Sequence, residues 1–228
     1  MNKYIFFIAI FVGVASNLVH AQINYTLKEL SEKVDQLKWN NKTQYDYSNV
    51  QGTPYLFEEF INGEVYYDRK IKISPILLRY NLYNDEFEYK DKSLNMTISN
   101  PESIDKIVLQ GQVFIYVDNK NQAKVSGYVK RWNDQFPAVL TKMKIEFFKK
   151  EEPRPYVESK PERFERAHNK HYLMKSEQDI ERISSVKKLI KSLGNHKSEL
   201  TEFAKKEKIS SSDPEELAQL LKFYQGLD

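Results

Sequence analysis

The sequence predicts an α+β protein in which an antiparallel β-barrel or sandwich, over residues 50–150, is followed by a small C-terminal cap of three helices. Between residues 55 and 149, apolar and polar residues alternate in short runs separated by turn residues, which is typical of antiparallel strands. After residue 184 the apolar residues recur at helical spacing instead. The crossover helices that a parallel sheet requires are not predicted between the strand-like runs.

The first twenty-one residues have the pattern of a secretory signal peptide. Lys3 precedes an apolar run over residues 4–14, and the segment ends in the small residue Ala21. The apolar run is shorter than the roughly 20 residues that cross a bilayer as a helix, which favours a cleaved signal over an uncleaved anchor. We therefore expect a mature chain that begins at Gln22, has no transmembrane segment, and is periplasmic or extracellular.

Composition narrows the classes of function. The chain has 0 Cys, which excludes disulfides, thiolate catalysis, cysteine metal sites and a lipid anchor on an N-terminal cysteine. It has 35 Lys and Arg against 32 Asp and Glu, without the basic stripe that phosphate contacts require. Nucleic-acid binding is therefore not predicted.

Residues 22–49 are predicted to form an N-terminal helix and a polar connector. Thr26 and Glu29 fit a capping box at the start of the helix, which covers residues 26–38. Apolar residues follow at helical spacing: Leu27, Leu30, Val34 and Leu37. A helix docked on the domain is favoured over a coiled coil, because fewer than three heptads are present.

The β domain is divided by four pairs or runs of turn residues. Asn62-Gly63 is the strongest hairpin signal, since both residues tolerate positive φ, and Asn84-Asp85 is a weaker one. Residues 118–122 and Asn133-Asp134 are predicted to be two further turns. The predicted strands are 55–61, 64–67, 77–83, 86–90, 93–99, 104–109, 112–117, 123–132 and 138–148.

Residues 151–183 are predicted to be an extended linker followed by one more hairpin. The segment 149–163 contains three prolines and many charges, which is typical of a linker along a sheet edge. Residues 172–175 and 179–183 have the pattern of two paired strands.

Residues 184–228 are predicted to be the helical cap. Gly194 ends the first helix, Asn195 caps the second, and Asp213 with Pro214 begins the third. Each helix has an apolar stripe: Val186, Leu189, Ile190 and Leu193; Leu200 and Phe203; Leu217, Leu220, Leu221 and Tyr224. Because short helices are marginal alone in water, we expect these stripes to be buried and the cap to be structural rather than a recognition surface.

The sequence indicates no catalytic, cofactor-binding or metal-binding residue. Ser-x-x-Lys occurs three times, at about the frequency expected by chance and without its companion motifs: Ser103–Lys106, Ser184–Lys187 and Ser185–Lys188. His168 and His171 form H-x-x-H in a segment that is not helical, so surface or edge histidines are favoured over a metal site. His196 lies at a helix start, where a neutral polar role suffices.

Adjacent carboxylates and a run of aromatic residues have simpler interpretations than catalysis. Neighbouring strand residues point to opposite faces, so such carboxylates do not face each other across a cleft. These pairs are Glu58-Glu59, Asp85-Glu86, Glu151-Glu152 and Glu215-Glu216. Packing is favoured over a binding platform for the aromatic residues Tyr45, Tyr47, Tyr55, Phe57, Phe60, Tyr66 and Tyr67.

Several separated blocks of the sequence resemble a family of secreted, uncharacterised proteins from Bacteroidetes-type bacteria. The resemblance covers most of residues 50–226, and residues 22–49 lie outside it. Its blocks are residues 52–60, 63–66, 78–87, 161–166, 172–173 and the tail over 187–210. The resemblance implies a cell-envelope or extracellular setting, and it implies no reaction, ligand or site residue.

The sequence therefore predicts an exported protein whose specific role is open. A non-enzymatic binding or structural module, with a protein, glycan or lipid partner in the cell envelope, is favoured. The alternative is a hydrolase whose site is not visible in the sequence. Titratable groups that converge in a deep cleft would indicate the enzyme, whereas an aromatic or apolar patch on one sheet face would indicate the binding module.

Overall fold

The structure is a computed structural model, and it leaves the predicted signal peptide and the helix predicted over 26–38 outside the residues that it describes. The described residues are 23–24, 40–41, 46–69, 71–118, 123, 125–153 and 158–227.

The described chain contains fourteen strands, and three α-helices follow them. The strands are β1 Ile23–Asn24, β2 Asn40–Asn41, β3 Ile61–Tyr67, β4 Ile71–Asn81, β5 Glu86–Asp91, β6 Leu94–Thr97, β7 Ile104–Leu109, β8 Gln112–Val117, β9 Gly127–Arg131, β10 Ala138–Lys142, β11 Ile145–Phe148, β12 Arg163–Arg166, β13 Lys170–Met174 and β14 Ile180–Arg182. The helices are α1 Val186–Leu193, α2 Lys197–Lys206 and α3 Pro214–Gln225, and Pro101–Ser103 form a 3-10 turn.

Most strands belong to one sheet, in the order β14-β13-β10-β9-β8-β7-β3-β4-β5-β6-β2. The pairs along this order are antiparallel, and β1 adds a short parallel pairing to β4. Strands β11 and β12 form a separate antiparallel pair. The predicted α+β class, with an antiparallel sheet and three C-terminal helices, is confirmed. The barrel is not shown, since no pairing among the described strands joins β14 to β2.

The sheet curls around an aromatic core. The rings of Tyr80 on β4 and Tyr128 on β9 lie 5.9 Å apart, although three strands separate β4 from β9 in the sheet. Phe87 on β5 is closer still, 4.8 Å from Tyr128. Because neighbouring strands are about 4.8 Å apart, such contacts require a strongly curved sheet. Ile145 on β11 and Phe164 on β12 complete this core.

The Asn62-Gly63 turn predicted from the sequence is wrong, because both residues lie inside β3. They pair with Leu77 and Ile76 of β4. A Cβ at position 63 would lie 2.8 Å from both the Leu78 Cδ1 and the Val108 carbonyl oxygen, so glycine here allows two strands to approach closely. The chain turns instead after β3, at residues 68 and 69.

Other turn predictions agree with the structure. Asn84-Asp85 connects β4 to β5, and Asn133-Asp134 lies between β9 and β10. The Asn133 side chain holds its turn by accepting from the Val139 amide at 2.9 Å. Residues 119–122 of the predicted turn over 118–122 lie outside the described part of the chain.

Two predicted segments divide differently in the structure, and a third is found as predicted. The run 138–148 is two strands, β10 in the main sheet and β11 in the small one, because Ile145 turns into the aromatic core. The segment predicted as a linker over 149–163 ends in a strand, since β12 begins at Arg163 and pairs with β11. The hairpin predicted near 172–183 is β13 and β14, which extend the main sheet beside β10.

The helices cover one face of strands β10 and β13. Val139 and Leu173 pack against Leu200, Leu217 and Leu220 of the cap. Their neighbours along the strands face the other way, into a third cluster that contains Ala138, Leu140, Tyr172 and Met174. Both faces of this end of the sheet are therefore buried.

The helix ends agree with the sequence in two cases out of three. Gly194 is the C-cap of α1, as predicted, and Asp213 Oδ1 caps α3 by accepting from the Glu215 and Glu216 amides. The N-cap of α2 is His196 and not Asn195 as predicted, and it has a left-handed backbone without a side-chain cap bond. The described part of the chain contains no helix long and apolar enough to cross a membrane.

A buried chain of hydrogen bonds also joins the cap to the sheet. Trp132 Nε1 donates to Thr141 Oγ1 at 2.7 Å, and that hydroxyl lies 2.9 Å from His171 Nδ1. His171 Nε2 lies 3.2 Å from the Ser212 carbonyl oxygen, just before α3. A carbonyl only accepts, so Nε2 carries the proton and the Thr141 hydroxyl donates to Nδ1. Burial lowers the pKa of His171, in agreement with a neutral ring.

Candidate functional site

A groove of about 800 Å³ crosses the sheet and is the larger of two cavities that concern function. It runs over β4, β3, β7 and β8 and reaches the loops after β9 and β13. Its apolar lining includes Ile115, Val117 and Met174. Around these lie four basic and four acidic side chains, whose charges balance: Arg69, Lys72, Lys106 and Arg131; Glu102, Asp105, Asp118 and Glu177.

Tyr66 organises one end of the groove. Its hydroxyl donates to Glu64 Oε2 at 2.6 Å, and Lys72 donates to the other oxygen of Glu64 at 2.8 Å. Tyr66 pairs in register with Lys72 on β4 and Lys106 on β7, and the Lys106 ammonium lies 4.7 Å from the ring centre. The Lys72 hydrogen bond is the main cause that lowers the pKa of Glu64. One carboxylate, Glu64, thus faces two ammonium groups at this end of the groove.

Phe136 and Arg131 form the opposite end. Phe136 is 45 % exposed, and the Arg131 guanidinium lies 5.1 Å from its ring centre. Arg131 is held by the backbone of the turn, since it donates to the Asn133 carbonyl at 2.8 Å and to the Asp134 carbonyl. Aromatic residues and arginine are both enriched at protein interfaces, and Phe136 and Arg131 place one of each side by side at this end of the groove.

The second region is a seam where the β4–β5 turn meets β9 and β10. Asp85 Oδ1 accepts from the Tyr80 hydroxyl at 2.6 Å and from the Tyr128 amide at 3.3 Å. Asp85 Oδ2 accepts from Lys142 Nζ at 2.6 Å, and the same ammonium donates to the Tyr128 carbonyl at 3.1 Å. Side chains here close a gap between strands that share no backbone ladder.

Gly127 makes the seam contact possible. A Cβ at this position would lie 1.6 Å from Asp85 Oδ2, and its φ is +87°. Asp85 itself has a left-handed backbone with φ of 58°, a conformation that Asp tolerates better than most residues. The sequence therefore needs a glycine on one side of the seam and a turn-forming acid on the other.

Burial changes the pKa values of two side chains in the seam, Tyr80 and Lys142. It raises the pKa of Tyr80 well above its ordinary value, and Asp85 raises it further, so the phenol remains a donor. Burial also lowers the pKa of Lys142, while Asp85 opposes that change. Lys142 already donates to Asp85 and to a carbonyl, so its position is that of a structural ion pair.

A smaller cavity of about 500 Å³ lies at the seam. Tyr116, at the end of β8, borders both this cavity and the groove, and its ring lies 5.4 Å from that of Tyr128. The other lining residues are Asn84, Asp85, Glu86, Thr97, Ile98, Ser99, Pro101, Ser126, Gly127 and Tyr128.

The structure does not bring the histidines or the Ser-x-x-Lys residues together. His168 is exposed, whereas His171 is buried and belongs to the chain of hydrogen bonds that joins the cap to the sheet. Ser103 donates to the Asn100 carbonyl, and Ser185 caps α1. His196 lies 3.8 Å from Glu199 at the start of α2. Within the described residues, no cluster of three or more His, Asp or Glu side chains is arranged to hold a metal.

Of the predicted aromatic run, Tyr66 lines the groove and most others pack. Tyr47 lies 5.1 Å from Phe164 in the core, and Tyr45 lies outside the described residues. Tyr55 and Phe60 enclose the Arg79 guanidinium, at 3.7 and 4.3 Å from their ring centres.

Among the predicted carboxylate pairs, Glu58-Glu59 is exposed, whereas Asp85 is half-buried in the seam. No sequence signal pairs Asp85 with Lys142, because 57 residues separate them. No family model, curated protein or solved structure matches the chain.

Proposed function

We propose that this protein is an exported, non-enzymatic binding module that holds a protein partner of the cell envelope or extracellular space in the groove. The main supporting observation is the chemistry of the groove, whose lining combines apolar residues with four basic and four acidic side chains. Protein interfaces have this arrangement, whereas a lipid site would be more apolar. The exposed Phe136 beside Arg131 is the proposed anchor of the partner.

The proposed location rests on the signal-like first twenty-one residues, and the resemblance to secreted Bacteroidetes-type proteins stays a prediction beside it. Expression with residues 1–21 is expected to give a protein outside the cytoplasm whose N-terminus is Gln22. A product of full-length mass that remains in the cytoplasm would contradict export.

Site-specific photo-crosslinking tests the groove. A photoreactive phenylalanine analogue at Phe136 is expected to capture one discrete polypeptide from a cell-envelope fraction. The matched control is the same analogue at Tyr83, which is 42 % exposed and does not line the groove. Lys106→Glu should abolish capture from position 136, because it reverses a charge in the groove without disturbing a core residue. Equal capture from both positions, or none, would refute the proposal.

A hydrolase is the second candidate, and the partly buried Lys142 next to the seam cavity is the observation that favours it. A lysine whose pKa is lowered by burial can act as a general base. Hydrolysis of a general ester such as p-nitrophenyl acetate, lost in Lys142→Met and retained in Lys144→Met, would favour the enzyme. No difference between these variants would remove this candidate.

A further inference from the structure

The seam cavity differs in chemistry from the groove, and it has no part in the protein-binding function proposed for the groove. Its polar lining is mainly uncharged, with hydroxyl groups on Thr97, Ser99 and Ser126 and an amide on Asn84. No lysine or arginine is among its lining residues. Asp85 is neutralised by Lys142, so Glu86 is the remaining charge. A phosphate or other anion therefore has no cationic partner in this lining.

Two buried polar atoms of the lining residues have no hydrogen-bond partner in the described part of the chain. They are Asn84 Nδ2 and the Tyr128 hydroxyl oxygen. Tyr128 as a whole is only 2 % exposed. Buried polar groups in folded proteins are nearly always paired, so Asn84 and Tyr128, which both line the cavity, each have a hydrogen-bonding group that the protein itself does not use.

The walls of the cavity are already held in place without a ligand. Asp85 is fixed by bonds from Tyr80, Lys142 and the Tyr128 amide. The Tyr128 ring is held edge-to-face between Phe87, at 4.8 Å, and Tyr116, at 5.4 Å. The backbone N–H of Asn84 donates to Asn81 Oδ1 at 3.0 Å, and this hydrogen bond fixes the turn. A preformed cavity of this size falls within the range of small-molecule sites.

We propose that the seam cavity binds a neutral polyhydroxylated ligand of monosaccharide or disaccharide size. Sugar hydroxyls both donate and accept, so they can pair with an amide donor, a phenol and the hydroxyls of Thr97, Ser99 and Ser126 together. The ring of Tyr116 supplies an apolar wall for the C–H face of the sugar. The volume of about 500 Å³ limits the ligand to one or two rings.

Amide chemical shifts test this inference directly. N-acetylglucosamine and glucose, titrated separately into the ¹⁵N-labelled protein, should shift the amides of residues 84–86, 97–99 and 126–128 with millimolar affinity for at least one sugar. The absence of shifts with both sugars, or shifts elsewhere only, would overturn the inference.

Two variants separate this site from the groove. Ser126→Trp should fill the cavity and abolish the shifts, and because Ser126 is exposed the change should leave the fold intact. Asn84→Ala should weaken binding at least tenfold, because it removes an unpaired donor. Lys106→Glu, which alters only the groove, should leave sugar binding unchanged. Sugar binding that persists in folded Ser126→Trp would refute the cavity as the site, whatever the crosslinking result at Phe136.

Discussion

The seam and the junction between the cap and the sheet perform the same task with different chemistry. Each ties a turn or loop to strands that are distant in sequence, through hydrogen bonds beside an apolar layer. The seam uses a charged pair, Asp85 and Lys142, that keeps some contact with solvent. The cap junction uses a neutral chain through Thr141 and His171, which are buried. A charged pair is tolerable where water reaches it, whereas a buried network is stable only when it is neutral and fully paired.

Because the two regions are held by different chemistry, we expect them to be weakened by different changes. At the cap junction the direction of every hydrogen bond depends on one tautomer of His171, so protons should weaken it. At the seam the geometry depends on the close approach of Asp85 to Gly127, so steric changes should weaken it. The variants below alter one region at a time.

Leu220→Ala should have the largest effect and should act at the cap. Leu220 is fully buried among the helices and the sheet, so its truncation should lower the free energy of unfolding by about 2–5 kcal/mol. Chemical denaturation measures the change, and Gln219→Ala on the exposed side of α3 is the control. An unchanged midpoint, with loss of partner binding, would mean that the helices are a docking surface rather than a structural cap.

Gly127→Ala should break the seam. The new Cβ would collide with Asp85 Oδ2 in a backbone of positive φ, so we expect a loss of about 2–4 kcal/mol. Gly111→Ala is a matched control, because its φ is also positive, at +72°, and nothing lies within 4 Å of its Cβ position. Equal losses in thermal or chemical unfolding would show that backbone strain alone matters and that the Asp85 contact does not.

Removing either charge at the seam should have a smaller effect. Asp85→Asn and Lys142→Met should each cost about 1.5–3 kcal/mol, because each leaves a charge without its partner. The double variant should lose less than the sum of the two, as expected for directly coupled groups. A double-mutant cycle by urea denaturation measures this coupling, and strict additivity would refute the ion pair as a stabilising contact.

Mild acid should produce the smallest effect, and it should act at the cap junction. The folded-state pKa of His171 lies below its unfolded value of about 6.5. The unfolded chain therefore takes up a proton first as the pH falls, and stability decreases from about pH 6.5 down to the folded-state pKa. His171→Gln should remove this decrease, measured as unfolding midpoints at several pH values. His168→Gln, at an exposed histidine, should retain it.

Some elements of the structure follow from local sequence patterns, whereas others depend on contacts between distant residues. The β-rich segment, the hairpin at Asn84-Asp85 and the stripe Leu217, Leu220 and Leu221 follow from local patterns, and all are found in the structure. The Asn62-Gly63 prediction failed because the same dipeptide can serve a tight turn or a crowded strand. Only the close contacts with Leu78 and Val108 show that Gly63 lies in a crowded strand and not in a turn.

Neither candidate site had a signal in the sequence. The groove joins Tyr66, Lys106 and Arg131, which local spacing does not connect, because three different strands carry them. The aromatic run as a whole is predicted to pack, and Tyr66 departs from this because register places that residue between Lys72 and Lys106.

The sequence by itself determined the class of structure, the helical cap and the absence of cysteine chemistry, because these depend on composition and on periods of two and 3.6 residues. Only the tertiary structure decided that the run over 138–148 divides between two sheets, and that Asp85 meets Lys142 and Gly127. These contacts depend on how far the sheet curls, which is set by the packing of Tyr80, Phe87 and Tyr128 in the core. Curvature is a property of all the strands together, so no local pattern of residues specifies it.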